Sequence, residues 1–188
     1  GFSSHDASYM YFDSAAIEMV AVTFMLIAGI NFSIHFLAWR GKSFRPYVMC
    51  PETKWFLVLM LVSVLLIATF LLAHQQYTTF SEAFRYSLFN VVSVATTTGF
   101  ANTDYALWPV FAPLFMIFLS VFASAAGSTG GGIKMLRAVI LFQHAVGELS
   151  RTLHPRAINP VRIRGTAVNS QVISGVLAFM LMNGMRII

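Results

Sequence analysis

The sequence predicts an all-α integral membrane protein, and three observations support this prediction. Hydrophobic residues make up 57% of the 188 residues, whereas charged residues make up only 10%. The mean hydropathy is +0.73. The few charges lie between long uncharged segments. Because a typical soluble domain carries about 25% charged residues, this composition excludes a soluble globular domain, a disordered chain and a nucleic-acid binder.

Two further features limit the class of protein. Cys50 is the only cysteine, so the sequence excludes an intrachain disulfide and a multi-cysteine metal site. The net charge of +5 comes from 12 Lys and Arg residues set against 7 Asp and Glu residues, and their positions are more informative than their sum. The chain begins at Gly1 without an initiator methionine, so we expect it to be a piece of a longer protein.

Uncharged apolar segments predict four transmembrane helices, because roughly 20 apolar residues cross the bilayer core as a helix. The segment from Trp55 to Ala73 is the clearest single span. The predicted helices cover residues 15–39, 55–74, 106–144 and 165–188.

The distribution of Lys and Arg predicts the orientation of these helices. Basic residues crowd segments 40–54 and 147–164, whereas segment 75–105 contains only Arg85 and residues 1–14 contain none. Cytoplasmic loops carry the excess of Lys and Arg. We therefore expect 40–54 and 147–164 to be cytoplasmic and 1–14 and 75–105 to be external. The four helices then alternate in direction, which an amphipathic surface protein would not show.

The external segment contains an apolar stretch that is too short to cross the membrane. Thr79 and Glu82 fit a capping box, with Thr79 as N-cap and Glu82 reaching back. A helix over 80–94 would span only roughly 20 Å. Residues 95–100 are poor in helix formers and include Gly99, which tolerates positive φ. A helix that enters and a strand that leaves on the same side would form a re-entrant pore loop.

The chemistry of this loop suits a cation. Backbone exposed at membrane depth is tolerated only where it is buried in protein or lines water. The C-terminal end of the short helix carries a partial negative charge. Thr96, Thr97 and Thr98 supply oxygens that can replace the hydration shell of K⁺ or Na⁺. The alternative is an amphipathic external hairpin that only caps the helix bundle.

Segment 106–144 is too long for one membrane helix, because it would extend about 58 Å. It contains the stretch Gly127-Ser128-Thr129-Gly130-Gly131-Gly132-Ile133-Lys134. Each of its three consecutive glycines disfavours a helix by roughly 1 kcal/mol. We therefore predict two shorter helices joined by an intramembrane loop, as in the broken helices of transporters. The alternative is a glycine-rich packing face between continuous helices.

The glycine-rich stretch does not fit a phosphate-binding loop. That motif needs Lys and then Ser or Thr directly after its second glycine. Here Ile133 follows Gly132, and Met135 stands where the hydroxyl residue would be expected after Lys134. A membrane helix rather than a β-strand precedes the stretch.

A short internal repeat supports the pore-loop interpretation. Gly1-Phe2 followed by Asp6 matches Gly99-Phe100 followed by Asp104, and each precedes an inward-going span. Repeated modules are usual in membrane transporters. Each Asp either concentrates cations at the mouth or caps the helix that follows.

The strand Thr96–Phe100, together with Gly127–Lys134, resembles the membrane subunit of Trk-type potassium uptake systems, in the Trk/Ktr/HKT superfamily. The resemblance covers essentially the whole chain. It implies helix–pore loop–helix repeats of the potassium-channel type, four per protein, around a single pore. It also implies potassium uptake without enzymatic activity and without a cofactor, with K⁺ as the transported ion.

The resemblance implies a division of this chain into parts of three repeats. Residues 1–39 would hold the filter end and second helix of repeat two, and 53–144 the complete repeat three. In repeat three the helix is 55–74, the pore helix 80–94, the filter 95–100 and the broken helix 106–144. Residues 145–164 would form a cytoplasmic linker, and 165–188 the first helix of repeat four.

The resemblance also implies roles for particular residues. The filter would comprise Gly1 from repeat two and Thr96, Thr97, Thr98, Gly99 and Phe100 from repeat three, with potassium at Thr97, Thr98 and Gly99. The gate would comprise Gly127, Ser128, Thr129, Gly130, Gly131, Gly132 and Lys134. A strand with one glycine offers fewer shared carbonyl layers than the strand of tetrameric potassium channels, so strict selection of K⁺ over Na⁺ is less assured.

The resemblance implies a cytosolic nucleotide-binding regulatory subunit that opens the gate. It also implies contact with membrane lipid and a homodimer formed with a second copy of the full-length protein. The implied location is the bacterial inner membrane. The basic loops 40–54 and 147–164 would contact the regulatory subunit or anionic lipid. The basic residues of these loops could equally reflect only the excess of Lys and Arg that cytoplasmic loops carry. No nucleic acid is implied.

Single residues bear on the other functions that such a chain could have. An intramembrane protease would need a Ser–His pair at membrane depth, and His144 lies 16 residues beyond Ser128. The sequence does not exclude the alternative that this is a non-conducting structural or assembly subunit. Glu18 either attracts cations or pairs locally at the interface, and His35 is expected to be a packing residue.

Overall fold

A computed structural model describes part of the chain, and the fold concerns only that part: residues 3–123, 125–131, 134, 137, 144–147, 162–163, 166–167 and 174–178. The chain divides into two compact units, 1–134 and 135–188. The expected filter residue Gly1 and the expected gate residue Gly132 lie outside the described residues. Most of the helix expected over 165–188 lies outside them as well, and residues 166–167, at its expected start, are in a strand rather than a helix.

The first unit is helical, as predicted. Its six helices are α1 (Ala15–Gly29), α2 (Phe32–Gly41), α3 (Arg45–Met49), α4 (Pro51–Ala73), α5 (Phe80–Ala95) and α6 (Phe111–Phe122). Single 3-10 turns lie at Ser8–Tyr11 and Tyr105–Leu107. In the second unit, helical residues are described at 144–147 and 174–178. Two antiparallel two-residue strands, β1 (Arg162–Ile163) and β2 (Thr166–Ala167), also lie there.

Helix α4 corresponds to the span expected at 55–74, and it begins four residues earlier. Pro51 stands in its first turn with Glu52 beside it, and both residue types are favoured at a helix start. Its 23 residues extend about 34 Å, which is enough to cross a bilayer core. One face buries residues such as Phe56 and Ile67, while Leu61 on the other face is exposed. Apolar residues on both faces are typical of a helix between protein and lipid.

The prediction of one continuous helix over 15–39 is wrong. The structure has two helices, α1 and α2, with a bend of 97° between them. Asn31 lies at the break and is the N-cap of α2, where its Oδ1 accepts the backbone N–H of Ser33 at 2.8 Å. Asparagine side chains compete with helical backbone bonds and favour caps. Gly29 and Asn31 were therefore the sequence signals for this break.

The helix expected to begin at residue 106 begins instead at Phe111. Asp104 caps the intervening 3-10 turn, because its Oδ1 accepts the backbone N–H of Ala106 at 3.1 Å. Pro109 disfavours the helical region for the residue before it, and Trp108 is indeed extended, with ψ of 156°. Asp104 therefore acts as a cap, but of this turn and not of the inward-going helix, whose N-cap is Val110.

Within the described residues, α4 is the one helix that is long and apolar enough to cross a membrane by itself. The bent pair α1 and α2 passes the same test as a broken span, and α6 is apolar but short. At the centre of the first unit, α5 contacts α4, α6 and α1. Its buried side chains include the apolar Phe89 and Val92, which pack on α1, and the polar Asn90.

Candidate ion-conduction site

Helix α5 begins where the capping pattern predicted. Thr79 is its N-cap, and Thr79 Oγ1 accepts the backbone N–H of Glu82 at 3.3 Å. The reciprocal half of the capping box differs from the prediction. The carboxylate of Glu82 accepts the hydroxyl of Thr78 at 3.3 Å. The single cap satisfies one of the free N–H groups at the start of the helix and fixes its entry point.

The segment that contains α5 enters and leaves on one side of the first unit. After α5 the chain turns back, and Asn102 Oδ1 accepts Asn90 Nδ2 at 2.7 Å. At the outer end, Trp108 Nε1 donates to the hydroxyl of Tyr77 at 3.2 Å. Burial raises the pKa of the Tyr77 hydroxyl above its usual value. The geometry is that of a re-entrant loop.

The inner end of α5 reaches the inner end of α1. A Cβ built on Gly29, the last residue of α1, would lie 3.2 Å from Thr96 Cγ2 and 2.6 Å from Phe56 Cζ. Gly29 lies 14 residues along α1 from its start at Ala15, which corresponds to about 20 Å of helix. A hairpin that only capped the outside of the bundle would not reach this depth.

Helix α5 ends in a Schellman motif. The N–H of Thr97 donates to Val94 O at 3.0 Å, and the N–H of Thr98 donates to Ser93 O at 2.9 Å. Thr97 takes the left-handed position of the motif, with φ of +58°. Glycine or asparagine normally occupies this position. The helix therefore continues through Ala95, one residue beyond the expected 94, and Thr96 is its C-cap rather than part of the strand.

The peptide groups after the helix face in one direction. The N–H of Gly99 also points to Ser93 O, at 3.3 Å. All described peptide bonds are trans, and in a trans peptide the C=O of one residue points opposite to the N–H of the next. The carbonyl oxygens of Thr97 and Thr98 therefore point away from α5. Both residues are exposed in the described part of the chain, as is Gly99.

The threonine hydroxyls do not follow the expectation that all three line an ion path. Thr96 is only 5% exposed, and its hydroxyl donates to Val92 O at 2.8 Å. The hydroxyl of Thr98 lies 2.8 Å from that of Thr96. Thr97 Oγ1 accepts the N–H of Gly131 at 2.8 Å. Local bonds at the helix end occupy the hydroxyls of Thr96 and Thr98, and the loop occupies that of Thr97, so the oxygens that face outward are those of the backbone.

Phe100 also departs from its expected role. Its carbonyl turns back to α5 and accepts the hydroxyl of Ser93 at 2.6 Å. Its ring packs on Tyr9, with centroids 5.0 Å apart. Next to it, Ala101 O accepts the N–H of Tyr9 at 2.9 Å, and Ser8 Oγ accepts the N–H of Ala101 at 3.2 Å. Phe100 thus anchors the outer end of the strand.

Gly99 has the conformation that the sequence indicated. Its φ is +82°. A Cβ built on it would meet no atom within 4 Å. The position therefore requires glycine for its backbone conformation and not for lack of space.

An ion pair between a half-buried arginine and a buried carboxylate joins α1 to α5, and sequence reasoning missed its cationic member. Arg85 Nε and Nη2 donate to the carboxylate of Glu18, each at 2.8 Å. Glu18 is 3% exposed. Of the roles weighed for Glu18, the structure supports pairing, although its partner lies on another helix. That Arg85 is the single basic residue in 75–105 was the available signal.

His35 has the packing role that was expected. Ile27 O can only accept, so the His35 Nε2–H donates to it at 2.9 Å, and the hydroxyl of Tyr47 donates to His35 Nδ1 at 2.7 Å. These two bonds tie α2 to the last turn of α1 and to α3.

The glycine-rich stretch is non-helical at residues 125–131 and at 134, where the structure describes it. Gly127 has φ of +70°, and a Cβ there would lie 3.1 Å from Asn31 Oδ1. Lys134 Nζ donates to Ser128 O at 3.2 Å and also to Gly130 O. A packing face on a continuous helix is therefore excluded for these residues.

This loop docks on the break between α1 and α2. Gly127 O accepts the N–H of Phe32 at 3.0 Å. Thr129 donates its hydroxyl to Ala28 O at 3.2 Å. The loop also reaches the start of α4, where Glu52 Oε1 accepts the N–H of Ala126 at 2.6 Å. The bend that the sequence did not predict supplies the free N–H and C=O groups that hold the loop.

A short helix that re-enters from one side, a strand with outward carbonyls and a glycine-rich loop bonded to that strand are the arrangement of a membrane protein of the pore-loop class. Residues 1–188 match the family described as TrkH, Cation transport protein. The chain belongs to this family, as the sequence resemblance indicated.

Individual relatives agree with this assignment. The chain is 40% identical over 181 residues to the Trk system potassium uptake protein TrkH of Vibrio parahaemolyticus, which covers 95% of this chain and 37% of the relative. It is 35% identical over 179 residues to the Escherichia coli protein of the same name, again covering 95% and 37%. The chain thus spans a little over a third of the length of these relatives.

A solved structure supports the fold. The crystal structure of the potassium transporter TrkH from Vibrio parahaemolyticus superposes with a TM-score of 0.89 at 40% identity, covering 96% of this chain and 39% of that chain. The prediction of an all-α membrane protein with pore-loop helix repeats is confirmed. Membership of a transport family also agrees with the expectation that the chain is not an enzyme.

Proposed function

We propose that this chain contributes one filter strand and an intramembrane gate to a protein that takes up potassium through a filter-lined pore. The observation that carries the proposal is the direction of the peptide groups after α5. The N–H groups of Thr98 and Gly99 are held by Ser93 O, and the carbonyls of Thr97 and Thr98 face the exposed side. Carbonyl oxygens in this arrangement can replace the hydration shell of K⁺.

The mechanism follows from these groups. A K⁺ ion reaching the strand loses part of its hydration shell and binds oxygens of Thr97, Thr98 and Gly99. The C-terminal end of α5 faces this position, so its partial negative charge stabilises a cation there. The equivalent strands of the other repeats, including that of Gly1, would complete the ring. The ion then passes the loop at Gly127–Lys134.

We propose further that the glycine-rich loop is the gate. Its docking on Ala28, Phe32 and Glu52 places it on the inner side of the strand, and Thr97 contacts it directly. A loop held by a few hydrogen bonds can move without unfolding a packed helix.

Replacing Glu52 with alanine should raise uptake in the resting protein. The change removes the acceptor for the N–H of Ala126. Hydrogen bonds to charged groups contribute about 1.5–3 kcal/mol, so we expect roughly a tenfold or greater shift toward the open state. Rb⁺ uptake by liposomes with the full-length protein measures this shift.

The matched variant is Glu52→Gln, which keeps an acceptor oxygen and should give lower resting uptake than the alanine variant. Resting uptake that is equal in both variants and in the wild type would count against the gate.

The cellular location, the oligomeric state and the regulatory partner are also proposals. We propose that the full-length protein lies in the bacterial inner membrane as a homodimer. We also propose that a cytosolic nucleotide-binding subunit opens the gate from the side of the basic segment 40–54. This segment contains Glu52, which contacts the loop, so movement there can reach the gate through a single side chain.

Rb⁺ uptake by the full-length protein in liposomes tests the proposed function. Saturable uptake above that of empty liposomes, only weakly inhibited by Na⁺, is the expected result. Uptake no greater than that of empty liposomes, with a regulatory subunit added, would favour the non-conducting structural subunit.

A further inference from the structure

A hydrogen bond joins the filter strand to the glycine-rich loop. The N–H of Gly131 donates to Thr97 Oγ1 at 2.8 Å. The two residues are 34 positions apart in the sequence. They belong to the two elements that the proposed function assigns to selection and to gating. The bond therefore links two functions through one side chain.

Thr97 is an unusual residue for its backbone conformation. Its φ of +58° lies in the left-handed region. A β-branched residue is strained there, and glycine or asparagine would close the same helix end without that strain. Such strain persists only where the surroundings hold the residue in place. Threonine at this position is therefore best explained by what its side chain does.

The surroundings of Gly131 show which atoms of Thr97 lie nearest to this position. A Cβ built on Gly131 would lie 3.6 Å from Thr97 Oγ1 and 3.7 Å from Thr97 Cγ2. A side chain at position 131 would therefore meet both the hydroxyl and the methyl group of Thr97. Valine would keep the shape of this contact and lose the acceptor, whereas serine would keep the acceptor and lose the methyl group.

We propose that Thr97 is a positioning residue that holds the glycine-rich loop against the filter strand in the closed state, and that opening breaks its hydrogen bond to Gly131. This inference rests on the proposed function. It assigns the Thr97 hydroxyl to the loop and leaves the Thr97 carbonyl to the ion. The loop then cannot move away without freeing the strained residue at the base of the filter.

A cysteine pair tests the contact and its effect together. The Cβ of Gly131→Cys would lie 4.0 Å from the Cβ of residue 97, and disulfides need about 3.5–4.5 Å. In the full-length protein carrying Thr97→Cys and Gly131→Cys, mild oxidation should form the crosslink, detected as a linked peptide by mass spectrometry. The crosslink should block Rb⁺ uptake, and a reductant should restore it.

The single variants Thr97→Cys and Gly131→Cys are the controls, and oxidation should not change their uptake. A crosslink that forms and leaves uptake unchanged would overturn the inference, because the loop would then not need to leave Thr97. Failure of the pair to crosslink under oxidation would overturn the contact itself.

Two variants of Thr97 keep the inference testable if the cysteine pair does not conduct. Thr97→Val removes the acceptor and should raise resting uptake about two- to twelvefold, as the loss of one neutral hydrogen bond predicts. Thr97→Ser keeps the acceptor, so its resting uptake should stay below that of the valine variant. The matched control is Thr23→Val, because the Thr23 hydroxyl bonds only within its own helix, to Met19 O at 2.8 Å.

The outcomes separate this inference from the proposed function. A wild-type protein without uptake above empty liposomes contradicts the proposed function. A wild-type protein that conducts, with equal resting uptake in the valine and serine variants, contradicts the role of Thr97 alone.

Discussion

Replacing Gly99 with serine should abolish most of the preference of the full-length protein for K⁺ over Na⁺. The φ of +82° at Gly99 lies in the left-handed region, where a side chain costs about 1–2 kcal/mol per residue. Apart from the adjacent residues of the chain, no atom of the described residues lies within 4 Å of a Cβ built at this position. The expected effect therefore comes from the backbone conformation of the strand.

The expected size of this effect is a five- to thirty-fold loss of selectivity, which corresponds to about 1–2 kcal/mol. Rb⁺ uptake with Na⁺ as competitor measures it. Gly99→Asn should lose less selectivity, because asparagine tolerates positive φ.

Gly41→Ser is the matched control for Gly99→Ser. A Cβ at Gly41 also meets nothing within 4 Å, and Gly41 has no positive φ. We expect its selectivity to equal that of the wild type. An unchanged K⁺/Na⁺ ratio in Gly99→Ser would contradict the assignment of Gly99 to the filter.

Of all these variants, Arg85→Met should lower the free energy of unfolding of the full-length protein the most. It leaves the carboxylate of Glu18, which is 3% exposed, without the two 2.8 Å hydrogen bonds from Arg85. Breaking a buried ion pair by removing one partner costs about 3–5 kcal/mol. Thermal unfolding of the full-length protein in detergent measures the loss.

The double variant Glu18→Gln with Arg85→Met should recover much of this loss, because no charge is then buried alone. Arg45→Met is the control, since Arg45 is exposed in the described part of the chain. A double variant that is as unstable as Arg85→Met would contradict the ion pair as the cause.

Features encoded in neighbouring residues could be predicted from the sequence. The N-cap Thr79, the positive φ of Gly99 and the non-helical backbone at Gly127 each depend on a residue type with a local preference. The alternation of charged and uncharged segments likewise predicted α4, because hydropathy acts over a whole span.

Features that depend on three-dimensional neighbours could not be predicted. The pairing of Glu18 with Arg85 joins residues 67 positions apart. The break at Asn31 was hidden because one asparagine scarcely changes the hydropathy of a long apolar segment. The break becomes understandable only with the loop docked on it.

The filter strand could be predicted from the sequence only in part. Its composition indicated that oxygens are available, but not which oxygens face outward. The Schellman end of α5 decides this, and it occurs without the glycine that usually signals it, because Thr97 occupies the left-handed position. The hydroxyls of Thr96 and Thr97 consequently bond to protein, and Phe100 O bonds to Ser93.

We propose above that the carbonyl oxygens of Thr97 and Thr98 bind the transported ion. Anomalous diffraction from crystals of the full-length protein soaked with Rb⁺ locates the ion. We expect an anomalous peak in contact with these two carbonyl oxygens, on the side of the strand away from Ser93. A peak beside the hydroxyl of Thr96 or the carbonyl of Phe100, with none at Thr97 and Thr98, would contradict it.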